Sequence, residues 1–220
     1  MKKIKKYILC LPKSLIFNIK YFGIKKGIRL PILISNNIRI KKISGNIEIQ
    51  DKFSFGVIKI GFGELGIFDR KNDKGSWQVY GNVLFRGKCD LGQGVNISVG
   101  KNGLLEIGNG VTISGETSII CKERIVIGDE CLISWENLIM DTDFHKINYD
   151  NRSNSNITKE IILERNVWVC ARCTILKGSK ISAGSVVGSN SFISKGYEDK
   201  NVLIVGNPAV VKKKNITWNK

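Results

Sequence analysis

The sequence predicts an all-β chain wound as a parallel β-helix, with a short basic helical segment before it and one long loop inserted between coils. Three observations carry this. Aliphatic residues recur every six positions, small residues recur four positions after many of them, and glycine and asparagine gather in the intervals. With 220 residues, 42% of them hydrophobic, the chain is long enough for one domain with a sizeable core.

The first element is residues 1–35. Residues 1–47 carry 12 Lys/Arg and no acidic residue, so the net charge of +16 belongs mainly to this end and the remainder carries only +4. A near-balanced body argues against a nucleic-acid reader, which needs basic residues arrayed on the folded surface. Leu15, Ile16, Ile19 and Phe22 follow helical spacing among lysines. No apolar run approaches the roughly 20 residues that span a bilayer. Lys13 interrupts any signal-peptide core, and no small-residue cleavage site follows. The expectation is a cytoplasmic chain whose basic segment caps the core, with peripheral contact to the inner face of a membrane open to residues 1–30.

The second element, 36–214, is the repeat. Val169, Ile175, Ile181, Val187 and Ile193 are six apart, and Cys173, Ser179, Ser185 and Ser191 follow the first four of them by four positions. Val79, Phe85, Leu91 and Ile97 repeat the pattern, as do Ile107, Ile113 and Ile119, then Ile127, Ile133 and Ile139, with changes of phase between groups. A helix has a period of 3.6 and a half-buried strand a period of 2. Six residues make a short strand plus a tight corner, and three such sides close a triangular coil. Glycine and asparagine, as in "IGNGVT", suit positive φ at corners. Of six cysteines, 89, 131 and 173 occupy the small slot. The pair in "CARC" is therefore read as core packing, and no metal is expected, because a zinc site needs about four ligands.

The repeats, with "VWVCARCTILKGSKISAGSVVGSNSFISK" and the closing "IVGNPAVVKK", resemble the hexapeptide-repeat acyltransferases, nearest the O-acetyltransferases of sugars and bacterial surface polysaccharides. The resemblance implies a left-handed helix, a homotrimer with active sites between neighbouring prisms, and acetyl-CoA as donor. The positions matching the family's CoA contacts are Ala171, Ser189, Ser194, Lys195 and Lys213, and Trp168 stands where the family places an aromatic beside the cleft, with a role covering the coil edge also open; the family usually has glycine where Cys170 stands. Trp135 and Asn137, just before the long loop, are candidates for lining the acceptor site, with core or corner roles equally open.

The loop, 141–163, breaks the period with "MDTDFHKINYDNRSNSNITKEI" and holds the chain's one histidine, His145. A polar excursion from a regular solenoid is where function tends to sit. Transfer of an acyl group from a thioester to a hydroxyl needs a base to take the alcohol's proton. An ordinary imidazole, with a pKa near 6.5, is about three-quarters neutral at pH 7 and can do so. Asp143 or Asp141, two and four positions earlier, is expected to hold its other nitrogen, with Asp143 preferred. The residues after 214, 215–220, read as a tail.

The expected function is O-acetyl transfer from acetyl-CoA to a sugar hydroxyl of a bacterial surface polysaccharide or its precursor. An N-acetyltransferase acting on an amino sugar nucleotide would use the same base and donor. A non-catalytic trimeric scaffold would not need the histidine. The zinc carbonic anhydrases of this shape require three histidines, and this chain has one.

Overall fold

The computed structural model describes residues 2–63, 66–67, 73–146 and 157–220. The chain opens with a helix, α1 (Lys2–Gly27), kinked at Gly23 where φ is 70°. It then winds into a three-faced solenoid. Face one has nine strands: eight parallel ones from Ile32–Ile34 to Leu203–Gly206, and an antiparallel return at Ala209–Lys213. Face two runs from Ile38–Ile43 to Phe192–Ile193, and face three from Asn46–Ile49 to Gly196–Tyr197, with seven strands each. Every pairing within the coils is parallel, and the inward residues stack in register: Ile97 pairs with Ile119, Ile119 with Ile139, Ile139 with Ile175 and Ile175 with Ile193.

The period-six aliphatics point inward. From Val79 to Ile193 all fifteen named above are at most 1% exposed, and so are Cys89, Cys131, Cys173, Ser179, Ser185 and Ser191 in the small slot. Each coil thus stacks like on like, and the core is a continuous column. Burial pushes the Cys131 thiol up to about 12 and the Cys173 thiol up to about 11. Cys173 Sγ donates to the Gly188 carbonyl at 3.1 Å, so it serves the corner it packs in.

Two boundaries differ from expectation. The solenoid begins at Ile32, not 36, because Ile32–Ile34 already pairs with Ile58–Ile60. It resumes after the long loop at Ile161, inside the expected loop range of 141–163. Residues 147–156 of that loop lie outside the described residues. Nor are corners reserved for glycine and asparagine. At the corner from face one to face two, the left-handed position is filled in successive coils by Gly94, Glu116, Glu136, Arg172 and Asn190, with φ between 56° and 71°.

The phase changes have a single location. From Phe85 to Ile193 inward residues stay six apart around the corners from face one to two and from face three to one. At the corner from face two to three the spacing widens in three consecutive coils: Ile97 to Ile107, Ile119 to Ile127, and Ile139 to Leu163. Every insertion between Phe85 and Ile193 falls on this one ridge, and the last of these is the histidine loop.

Candidate active site

The histidine loop leaves and re-enters the ridge through a pinched neck. Thr142 and Thr158 form an antiparallel bridge, Asp143 N–H donates to the Ile157 carbonyl at 3.0 Å, and Lys159 N–H donates to the Asp141 carbonyl at 3.1 Å. Beyond it the chain turns sharply. Phe144 N–H donates to Thr142 Oγ1 at 3.0 Å, Phe144 has φ of 60°, and His145 N–H donates to the Asp143 carbonyl at 2.7 Å. This turn sets His145 on the surface. Phe144 is half exposed, with its ring 5.3 Å from Lys122 Nζ.

The two aspartates have different roles. Asp141 is fully buried, and its carboxylate accepts the N–H groups of Lys122 at 2.7 Å and of Glu123 and Arg124 at 2.9 Å. The expectation that it could orient His145 is corrected: its oxygens are committed to the corner of the preceding coil, and it anchors the loop. Asp143 sits in the same turn as His145, partly exposed, and pairs with Lys177 Nζ at 2.5 Å. Among the described residues the imidazole makes no hydrogen bond.

Immediately beside the neck, on the C-terminal side, is a groove of about 280 Å³ lined by Lys159, Lys177, Gly178, Ser194, Lys195 and Gly196. Three lysines and a hydroxyl around one small groove suit an anion such as a phosphate. Ser194 and Lys195 were expected from the sequence. Lys159 and Lys177 were not, since only the folded ridge brings 159, 177 and 195 into line. Flanking the ridge on face three, Glu106 is 6% exposed and held between Arg86 at 2.7 Å and Arg124 at 2.8 Å, and Arg124 also pairs with Glu160 at 2.7 Å.

The remaining expected residues lie elsewhere. Trp135, Ala171 and Ser189 follow one another along the corner from face one to two, a different ridge from that of His145. There Ser189 hydrogen bonds Cys170, whose thiol burial still holds above its ordinary value. Trp168 lies on face one, its Nε1–H donating to Ser134 Oγ at 3.1 Å and its ring 5.6 Å from that of Trp218. The tail carrying Trp218 folds back along the corner from face three to one, with Trp218 Nε1–H donating to the Asn166 carbonyl at 3.0 Å. Lys213 is exposed on the closing strand. Asn137 takes the corner role that the sequence left open beside acceptor lining. It is 2% exposed, its amide donates to the Ser134 carbonyl at 2.9 Å and accepts from Cys173 N–H at 2.8 Å, and it faces the interior rather than any acceptor.

Known proteins point the same way. Over 108 residues the chain is 36% identical to the polysialic acid O-acetyltransferase of Neisseria meningitidis, covering 49% of this chain and 50% of that one. Over 116 residues it is 30% identical to the galactoside O-acetyltransferase of Lactococcus lactis, covering 52% of this chain and 54% of that one. The chain therefore spans about half the length of these curated relatives. Among solved structures, a hexapeptide-repeat acetyltransferase of Vibrio cholerae, crystallised with acetyl coenzyme A, superposes with a TM-score of 0.52 and 26% identity, covering 60% of this chain and 70% of that one. No family model matches the sequence. In sequence the chain resembles acetyltransferases of the hexapeptide-repeat class, and it shares their fold, a left-handed parallel β-helix. Within that class, the relatives it resembles are named for acetylating sugars and polysaccharides.

Proposed function

We propose that the chain transfers an acetyl group from acetyl-CoA to a hydroxyl of a sugar in a bacterial surface polysaccharide or its precursor, on the cytoplasmic side. One observation carries the reading. The only histidine stands exposed on a braced turn, at the ridge where the solenoid departs from its period, beside a groove of three lysines.

In this reading an imidazole nitrogen of His145 takes the proton from the acceptor hydroxyl as its oxygen attacks the thioester carbonyl. The tetrahedral intermediate collapses, the carbon–sulfur bond breaks, and the departing thiolate takes the proton back from the imidazolium. Atoms and charge balance without a metal. Asp143 holds the other ring nitrogen and steadies the ring, as the third member of a triad does. The lysine groove takes the phosphates of the donor.

The expected contacts fall on two ridges of one prism: His145, Ser194 and Lys195 on one, Trp135, Ala171 and Ser189 on another. A site using both sets needs a second copy, which supports the trimer that the family resemblance implies, with its cleft between neighbouring prisms. The test is CoA release from acetyl-CoA with candidate glycans. His145→Ala is expected to lose at least about a hundredfold in rate, the range for removing a general base. Unchanged turnover would overturn the reading.

A further inference from the structure

Helix α1 presents an unusual cross-section. One face lies on the first coil. Cys10, Ser14, Phe17 and Asn18 are at most 1% exposed, and Asn18 accepts from Ile32 N–H at 3.1 Å while donating to the Ile32 carbonyl at 2.7 Å. This covers the open end of the core column. A capping helix normally shows water a polar face. Here the face opposite the buried one is apolar: Ile8 is 59% exposed, Leu9 57%, Leu15 37% and Ile16 59%, with Pro12 among them. Past the kink, Ile24 at 70% and Ile28 at 59% are exposed as well. Lys20, Lys25, Lys26 and Arg29 are exposed along the same segment. No acidic residue occurs before Glu48.

Monomeric surfaces rarely expose a contiguous apolar patch without a partner, and an all-basic rim names the sign of that partner. No helix among the described residues is long and apolar enough to cross a membrane. An interfacial helix needs only an apolar face, a basic surround and an anionic surface. We infer that the outer face of α1 docks the chain, end on, on an anionic lipid bilayer, with the aliphatic side chains at the headgroup boundary and the basic residues on lipid phosphates.

Docking by this end fixes the height of the candidate site. The coil that carries His145 holds the fifth strand of face one, four strand spacings beyond the first. At roughly 4.8 Å per coil that is about 20 Å, and a helix diameter of about 10 Å adds to it. His145 then stands roughly 30 Å above the lipid surface when the solenoid is upright. If His145 is the transfer base, on which this step rests, the acceptor is a glycan tethered to the membrane and acetylated several sugars out from its lipid.

The full chain should pellet with phosphatidylglycerol-containing vesicles at low salt, but not with phosphatidylcholine alone. Ile8→Glu/Ile16→Glu, and separately Lys20→Glu/Lys25→Glu, should weaken binding at least about tenfold. CoA release with a soluble glycan should be unchanged in both variants, and their melting temperatures retained, since these side chains are exposed. No pelleting of the wild-type chain overturns the inference. Pelleting indifferent to both variants overturns it too, and so does a smaller assembly by light scattering in Ile8→Glu/Ile16→Glu, which makes the face a contact between copies. Lost docking with CoA release intact leaves the proposed transfer standing. Docking without CoA release removes the transfer and the height argument but keeps the bilayer contact.

Discussion

Asp141 Oδ1 accepts the backbone N–H of Lys122 at 2.7 Å, binding the neck of the histidine loop to the corner of the coil before it. Nineteen residues separate the two, yet they are adjacent along the ridge. The same carboxylate takes the next two N–H groups, so one buried charge satisfies three donors that the widened corner leaves without strand partners.

Asp141→Ala should therefore act on folding. It strands three corner donors, and hydrogen bonds to a charged group are worth about 1.5–3 kcal/mol each, so a loss of roughly 3–5 kcal/mol is expected in urea unfolding. Asp141→Asn keeps one acceptor oxygen and should lose about half of that. Stability unchanged in both would show the carboxylate to be idle.

Asp143→Asn should behave differently. Asp143 is a surface residue paired with Lys177, so stability should move by less than about 1 kcal/mol, as for exposed ion pairs. If Asp143 positions the imidazole, kcat should fall by about a hundredfold with the KM for acetyl-CoA little changed, and the fall should be larger than for Asp141→Asn per folded molecule.

The difference between these aspartates was not visible in the sequence, and the reason is physical. "MDTD" offers two carboxylates near one imidazole, and their spacing fits either role. What separates them is contact with Lys122 to Arg124, which depends on how two consecutive coils stack. Asn137 was left open between two roles for the same reason: an amide resembles a ligand group until Cys173, 36 residues away, donates to its oxygen. The core was legible because each inward residue follows its predecessor locally, six positions on. The widened corners at 97–107 and 119–127 showed only as changes of phase, since a period says how far the chain has gone but not which corner it has reached. The strand Ile32–Ile34 was hidden by the basic run, whose composition suggested a boundary later than the first parallel pairing.

The lysine groove predicts a kinetic signature. Lys159→Ala and Lys195→Ala should each raise the KM for acetyl-CoA about tenfold, with kcat nearly kept, because each removes a charge from a groove that holds an anion and not the reacting carbon. The effect should shrink in high salt as the interaction is screened. Equal KM values in wild type and variants would place the donor elsewhere.

The tail predicts an optical change. Trp218 lies 5.6 Å from Trp168 and donates to the Asn166 carbonyl. Removing residues 215–220 should uncover Trp168 and red-shift its emission, with a stability loss of about 1–2 kcal/mol for one aromatic contact and one hydrogen bond. Emission insensitive to the truncation would mean that the strap does not hold in solution.

Glu106 predicts a pH dependence. Its burial alone would push the carboxyl up, but the guanidiniums of Arg86 and Arg124 outweigh that and hold it below its ordinary value. A carboxyl lowered on folding gives the unfolded chain the greater proton affinity, so its stabilisation is fully present above the unfolded carboxylate value, about 4.3, and is lost as pH falls through the lower folded value. Unfolding free energy should decline through that acidic window in wild type. In Glu106→Gln the decline should be shallower, and stability at pH 7 should drop by about 1–3 kcal/mol because two arginines lose their shared partner. Urea unfolding at a series of pH values measures both. Parallel curves for the two proteins would mean that the arginine clasp contributes nothing to folding.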